Sequence, residues 1–394
     1  MKRLFCWEKR TFKELLVDME LRNLQNNIVG QEASRLFARA EINMGVEAFR
    51  DSLYSLLKRN TFLNIKFENM LDTLGEISRT DIRSLLGEWE KTTPLPFYSL
   101  GEPTLTKITN KGGEEFFVLK MLISNNSDYD GIIHMDIRKD GWWYQPLEDP
   151  RAKTKIEMPA HTSKEFVSVW EDQIRNVEIN TMVSGNLPNI ISQDINNVKQ
   201  ERNKIVKDSI YILPESSFDL PGEIIVDNED STLFILSAPP IVGLLPKWLD
   251  EVEETPFKYS GISWWRPPLQ WTATTNDRYY GKYIRSAFVI KSGDGSQTAT
   301  WKVPVPEVGQ YDLYYHVFKD DELRWNNNLQ GEYHFKVKYG SEVEDAYVNL
   351  RKANEGWEQL GSYYFDSDTI RVVLTDECKL RSVTADAVKI VKRY

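Results

Sequence analysis

The densest chemistry-bearing string in this chain is Trp264-Trp265-Arg266-Pro267-Pro268-Leu269-Gln270-Trp271. Indole faces stack on the apolar faces of sugar rings, and a guanidinium pairs a carboxylate through two parallel hydrogen bonds. Two prolines stiffen such a loop and lower the cost of ordering it on binding. The string predicts glycan contact through Trp264, Trp265, Arg266 and Trp271; the bland alternative is that these rings pack an insertion onto its own domain. Tyr279 and Tyr280 follow closely and join the predicted ligand-binding set. So do Trp325 and Asn326, within Arg324-Trp325-Asn326-Asn327-Asn328, whose amides suit a loop that reads hydroxyls or, equally, an ordinary solvated hairpin loop. Trp142-Trp143-Tyr144, between Gly141 and Pro146, carries the same two readings as the first string.

Other residue types allow other chemistry. Tyr279 or Tyr280 with His316 and Arg285 are the groups a polysaccharide lyase uses to neutralise a uronate and abstract a proton. Nothing in their spacing brings them together, so no catalytic residue is assigned. Asp227-Asn228-Glu229-Asp230 offers oxygen ligands to a hard cation such as Ca²⁺ through Asp227 and Asp230. The alternative is an acidic turn whose side chains bond their own backbone, and EF-hand spacing is lacking. Trp301 and Trp357 alternate with polar neighbours, as core positions do, and Asp386 enters the final strand, where it is expected to bond backbone donors; all three read as structural. No nucleophile elbow, P-loop or dinucleotide fingerprint occurs, and no cofactor is expected. Cys6 and Cys378 are the only cysteines and stand at opposite ends of the chain, which argues against a disulfide framework. The histidines 134, 161, 316 and 334 are too scattered to predict a metal site.

The elements that must position these residues change character along the chain. With 394 residues there is room for two to four domains. A net charge of −10 argues against a general binder of nucleic acid or anionic membrane. No apolar run is long enough to span a bilayer. Residues 1–95 read as a helical segment: Val46, Phe49, Leu53, Leu56 and Leu57 share a face, Gly30, Gly45 and Gly75 are expected stops, and Ile82, Leu85, Leu86 and Trp89 line a further helix. Pro94 and Pro96 close the segment. Residues 96–205 alternate with period two and predict an immunoglobulin-like sandwich, with strands at 116–123, 131–138, 165–170 and 177–181. Residues 206–394 predict a second all-β domain, with an insertion at about 238–270.

The blocks of that second domain carry a resemblance. Gly222-Glu223-Ile224-Ile225-Val226-Asp227-Asn228-Glu229-Asp230, Trp271 with Tyr279-Tyr280-Gly281, Ala299-Thr300-Trp301-Lys302-Val303-Pro304-Val305-Pro306, Gly309-Gln310-Tyr311-Asp312-Leu313-Tyr314-Tyr315, Gly356-Trp357 with Leu360-Gly361, and Ala385-Asp386-Ala387-Val388 stand in order. Over about 222–391 the chain resembles the golvesin C-terminal-like family, found in bacterial surface proteins and in proteins of xanthan-lyase type. That implies a jelly-roll-type sandwich. The insertion between Leu236 and Gln270 departs from the family's compact pattern. The first 200 residues look like the part of a Bacteroidetes-type gluzincin aminopeptidase downstream of its metal site. The His-Glu-x-x-His motif is absent, since His134-Met135-Asp136 and His161-Thr162-Ser163 do not fit it. That resemblance therefore transfers no catalytic residue.

The expectation is a multidomain, mainly β chain: a helical N-terminal segment, an immunoglobulin-like sandwich and a golvesin-like sandwich. It is read as a non-catalytic envelope or cell-surface module that binds polysaccharide or mediates surface contact. The alternatives are a purely structural part of a degenerate peptidase-like membrane protein, and a lyase or peptidase. The start has no apolar h-region and so no signal peptide. The chain is read as part of a longer periplasmic or surface protein with a further domain upstream.

Overall fold

The computed structural model describes residues 22–61, 63–79, 81–83, 95–139, 145–195, 197–202, 206–214, 222–237, 258–259, 261–263, 265–319 and 331–393. Contacts divide the chain into two compact units, one running to Ser217 and one from Phe218 to Tyr394. The architecture is mainly β, with several sheets, a short helical N-terminal segment and, among the described residues, no closed barrel.

The first unit opens with α1 (Arg22–Met44), α2 (Val46–Arg59) and α3 (Phe67–Ser78). Gly45, at φ 83°, lets the chain turn between α1 and α2 in a conformation other residues resist. Glu47 in the first turn of α2 and Lys58 and Arg59 in its last complement the helix dipole. Leu36, Ala40, Phe49, Leu71, Leu74 and Ile82 form the helical core. The expected apolar face of α2 divides: Phe49 and Leu56 are buried, while Val46 and Leu57 are 62% and 63% exposed. The stripe is broader than the surface α1 and α3 offer it. Gly30 and Gly75, expected as stops, lie inside α1 and α3. One interior glycine costs a helix only about 1 kcal/mol against alanine, which tertiary packing overrides. Beyond Arg83 the predicted helix through Leu85, Leu86 and Trp89 lies outside the described residues.

The same unit continues with β1 (Tyr98–Leu100), β2 (Thr104–Thr109), β3 (Glu115–Asn125), β4 (Gly131–Lys139), β5 (Gln145–Pro146), β6 (Lys153–Met158), β7 (Thr162–Trp170), β8 (Ile174–Asn180), β9 (Ile190–Asp194), β10 (Val198–Arg202) and β11 (Ser209–Pro214). One sheet runs β10-β2-β3-β7-β11 with β1 on β3; the other runs β5-β4-β8-β9 with β6 on β4. Their inward residues, among them Leu119, Met121, Ile133, Met135, Val177 and Ile179, form one core. The four predicted strands correspond to β3, β4, β7 and β8. β11 pairs with β7 from Ser209↔Val167 to Pro214↔Thr162, so this unit runs past the boundary expected at 205. Cross-strand bonding decides that membership, and no local pattern reports it.

The second unit comprises β12 (Glu223–Val226), β13 (Phe234–Leu236), β14 (Thr272–Thr275), β15 (Ser286–Lys291), β16 (Thr298–Pro304), β17 (Gly309–Val317), β18 (Glu332–Tyr339), β19 (Glu342–Asn349), β20 (Gly356–Phe365), β21 (Thr369–Thr375), β22 (Ser382–Ala385) and β23 (Val388–Lys392). Three sheets, β13-β16-β21-β18-β19, β12-β23-β17-β20 and β14-β15-β22, share one core. Trp301 is fully buried at its centre, edge-on to Tyr315, whose ring lies 5.0 Å from that of Phe335. Along β17 the period-two rule holds strictly. Tyr311, Leu313, Tyr315 and Val317 are buried, and Asp312, Tyr314 and His316 take the opposite face. That alternation decides which side chains are available for chemistry.

Candidate functional site

Two clusters on the second unit carry the residue types singled out from the sequence. The first is the turn at Trp265. Ser263 and Arg266 form an isolated antiparallel bridge, with Arg266 N–H donating to Ser263 O at 3.0 Å. That closure puts Trp265 at the crest of the turn, 81% exposed. The Arg381 guanidinium lies 5.1 Å from its ring centroid, a cation–π distance. Pro267 and Pro268 follow, and Pro268 O accepts from Lys291 N at 2.7 Å, which fastens the turn to the end of β15. Arg266 is exposed, and Leu269 beyond the prolines is 64% exposed. Trp271, by contrast, packs half-buried against the sandwich core, which is the packing alternative. Trp264 lies outside the described residues, as do Trp325, Asn326 and the string 142–144.

The second cluster lies on the outer face of β17. His316 pairs across the strands with Trp357 of β20, and Tyr314 with Lys389 of β23. Trp357 therefore belongs not to the core, as its alternating neighbours suggest, but to the opposite face; β17 and β20 shift register between Leu313 and Tyr314. The rings of Tyr280 and His316 stand 5.1 Å from that of Trp357, with the Lys389 ammonium 4.8 Å from its centroid. Beneath them Asp386 is fully buried. One carboxylate oxygen meets His316 Nδ1 at 2.8 Å, and both accept from Tyr280 N–H at 3.1 and 3.2 Å. Its backbone carbonyl accepts from Trp301 Nε1 at 3.2 Å. Asp386 thus joins β17, the Tyr280 turn and the core indole.

Burial pushes the Asp386 carboxyl above the usual range, while the His316 charge and hydrogen bond, Tyr280 N–H and the Arg285 charge pull it back. Burial, and then repulsion from Asp386 and Glu229, pushes Asp227 well above it. Asn228 donates to Asp227 Oδ1 at 2.7 Å and so ties it to Ser286, whose carbonyl accepts from the same amide. Asp230 is engaged elsewhere. Its Oδ1 accepts from Thr232 N at 3.0 Å and Thr232 Oγ1 at 2.7 Å, closing the turn into β13. The two carboxylates expected as a Ca²⁺ pair therefore serve different neighbours. Among the described residues no three His, Cys, Asp or Glu side chains are grouped to hold a metal ion. Tyr279 is buried against Phe318, its ring 4.6 Å away, and belongs to the packing beneath the cluster.

The structure thus brings the Tyr280 N–H, His316 and the Arg285 charge to bear on one carboxylate, which spacing alone does not reveal. Sequence reasoning missed Arg381 and Lys291. They reach the Trp265 turn only because β15 pairs with β22, and no local signal marks that pairing.

Comparison with known proteins bears on the unit that carries both clusters. Residues 267–392 match the Golvesin C-terminal domain. The golvesin-like stretch spans β14 to β23, with β12 outside it but paired to β23 in the same sheet. Neither the helices nor the first sandwich falls within the match. A xanthan lyase of Paenibacillus is similar at 16% identity and a TM-score of 0.31, over 77% of this chain and 27% of that one. A β-glucuronidase of Bacteroides uniformis is similar at 13% and 0.22, over 81% and 32%. The chain spans about a third or less of these proteins. No curated protein matches the chain. No helix among the described residues is long and apolar enough to cross a membrane.

Proposed function

We propose that the golvesin-like sandwich is a non-catalytic polysaccharide-binding module of a larger envelope or cell-surface protein, and that it makes contact through the turn at Trp265. The observation that carries this reading is the indole itself. At 81% exposure it is the most exposed large apolar side chain among the described residues, on a turn closed by a backbone bridge and followed by two prolines. A large ring left in water on a stiffened turn suits stacking on a sugar ring. The family match at 267–392 supports the reading to the extent that it puts this turn at the edge of a golvesin-like domain. No nucleic-acid partner is proposed, in keeping with the net charge of −10.

The test is retention of the purified chain on a polysaccharide panel, with Trp265→Ala alongside. The reading expects at least one retained polymer, retention lost in the variant, and an unchanged melting temperature. Retention that survives the substitution rejects the turn as the contact surface.

A lyase-type enzyme is the second reading, and one observation favours it: Tyr280, His316 and Arg285 gather at Asp386. It ranks below the first because the His316 ring is packed against Tyr280 and Trp357 and its side chain is only 13% exposed. A general base must reach the proton it takes. Turnover of any acidic polysaccharide that vanishes in His316→Ala but not in Trp265→Ala would reverse the ranking.

A further inference from the structure

Among the described residues, three cations gather at the Trp265 turn in a chain whose net charge is −10. Arg266 is the next residue. The Arg381 guanidinium stands over the indole at 5.1 Å. Lys291 is fastened to the turn through its own N–H on Pro268 O, and the following Ser292 N–H donates to Arg381 O at 3.0 Å. Three cations on three separate segments are therefore tied to one exposed indole by main-chain bonds. All three are exposed, and among the described residues Arg266 and Lys291 form no ion pair.

The acids on the adjoining hairpin are engaged elsewhere. Glu377 lies 3.4 Å from His334 Nδ1, Asp294 Oδ1 accepts from Ser296 N at 3.1 Å, and buried Asp376 accepts from Gln297 N at 3.2 Å. A neutral glycan on Trp265 would give the charges of Arg266 and Lys291 no partner. A carboxylate beside the stacked ring would pair with them.

Resting on the reading that this turn contacts polysaccharide, we infer that its ligand is an acidic polysaccharide, with a sugar ring on Trp265 and the sugar's carboxylate beside Arg266 and Lys291. The negative charge of the whole chain repels polyanions at a distance, so a polyanion without a ring to stack gains little here.

Affinity electrophoresis of the intact chain through gels of polygalacturonate, alginate or hyaluronan tests this. Each polymer is run beside its carboxyl methyl ester, with polyglutamate as a polyanion lacking sugar. The expected result is retention on an acidic polymer, weaker by about tenfold or more on its ester, and none on polyglutamate. Arg266→Gln/Lys291→Gln, which leaves the Arg381 stack intact, should weaken acidic retention about tenfold, the scale of one or two charge-assisted bonds, without moving the melting temperature. Equal retention on acid and ester, lost in Trp265→Ala, overturns the acidic ligand and keeps the sugar reading. Retention of neutral glycans alone overturns it in the same way. Retention on polyglutamate that is indifferent to Trp265→Ala, or none on any polymer, overturns both.

Discussion

The turn at Trp265 and the cluster at His316 are built from the same kinds of residue on one sandwich, and they are used in opposite ways. At the turn, an indole and the cations Arg266 and Lys291 face water on segments joined to the framework by backbone bonds. At the cluster, the rings of Tyr280, His316 and Trp357 pack together over a fully buried carboxylate that His316 Nδ1 and Tyr280 N–H satisfy, and the Lys389 ammonium above Trp357 pairs with Glu223. Side chains whose hydrogen bonds and faces are committed to each other brace the fold. Side chains held rigid with those groups still open are available to a ligand. Residue type does not separate the two cases; partners and exposure do.

The sharpest way to break this contrast is Asp386→Ala. It leaves His316 Nδ1 and Tyr280 N–H without their acceptor in a buried setting, and a loss of about 3 kcal/mol is expected. Thermal unfolding should show it as a drop of several degrees, while the folded fraction still binds polysaccharide. A variant that lost binding with no loss of stability would make the cluster a site. Trp265→Ala should do the reverse: about tenfold or greater loss of retention, with the melting temperature nearly unchanged because the ring is exposed.

Asp227→Asn gives a smaller effect whose sign is fixed. A carboxyl raised in the folded state holds a proton there that the unfolded chain has already released, so its contribution to stability falls as pH rises from the ordinary carboxylate value through the raised one. The amide abolishes that fall. The melting temperature of Asp227→Asn minus that of the parent should be near zero at about pH 4, the ordinary carboxylate range, and grow positive toward neutral pH. A difference that shrinks as pH rises would contradict the burial and repulsion assigned to Asp227. The smallest effect is expected for Tyr364→Ala. That ring is 60% exposed on β20, in a different sheet from the β15–β22 ladder that holds the turn. Retention should not change, and a loss there would show that any exposed aromatic suffices.

Much of this is legible in the sequence. Period-two alternation locates β3, β4, β7 and β8, and the ordered blocks at 299–306, 309–315 and 356–365 fall on β16, β17 and β20. The aromatic string at 264–271 stands out by composition, and Asp386 bonds a backbone donor, Tyr280 N, as expected. What escapes depends on pairing between distant segments. Arg381 is far from Trp265 along the chain and meets it only through the β15–β22 ladder. Trp357 reads as a core residue because alternation marks two faces without saying which is inward. Gly30 and Gly75 read as helix stops because propensity is local and packing is not.

The most direct test of the contrast is to run the parent chain, Trp265→Ala and His316→Ala side by side in affinity electrophoresis through acidic polysaccharide, each confirmed folded by circular dichroism. The account predicts that Trp265→Ala migrates unretarded while His316→Ala is held back as the parent is. Retardation that survives in Trp265→Ala and is lost in folded His316→Ala would contradict it, and would move the binding surface to the outer face of β17.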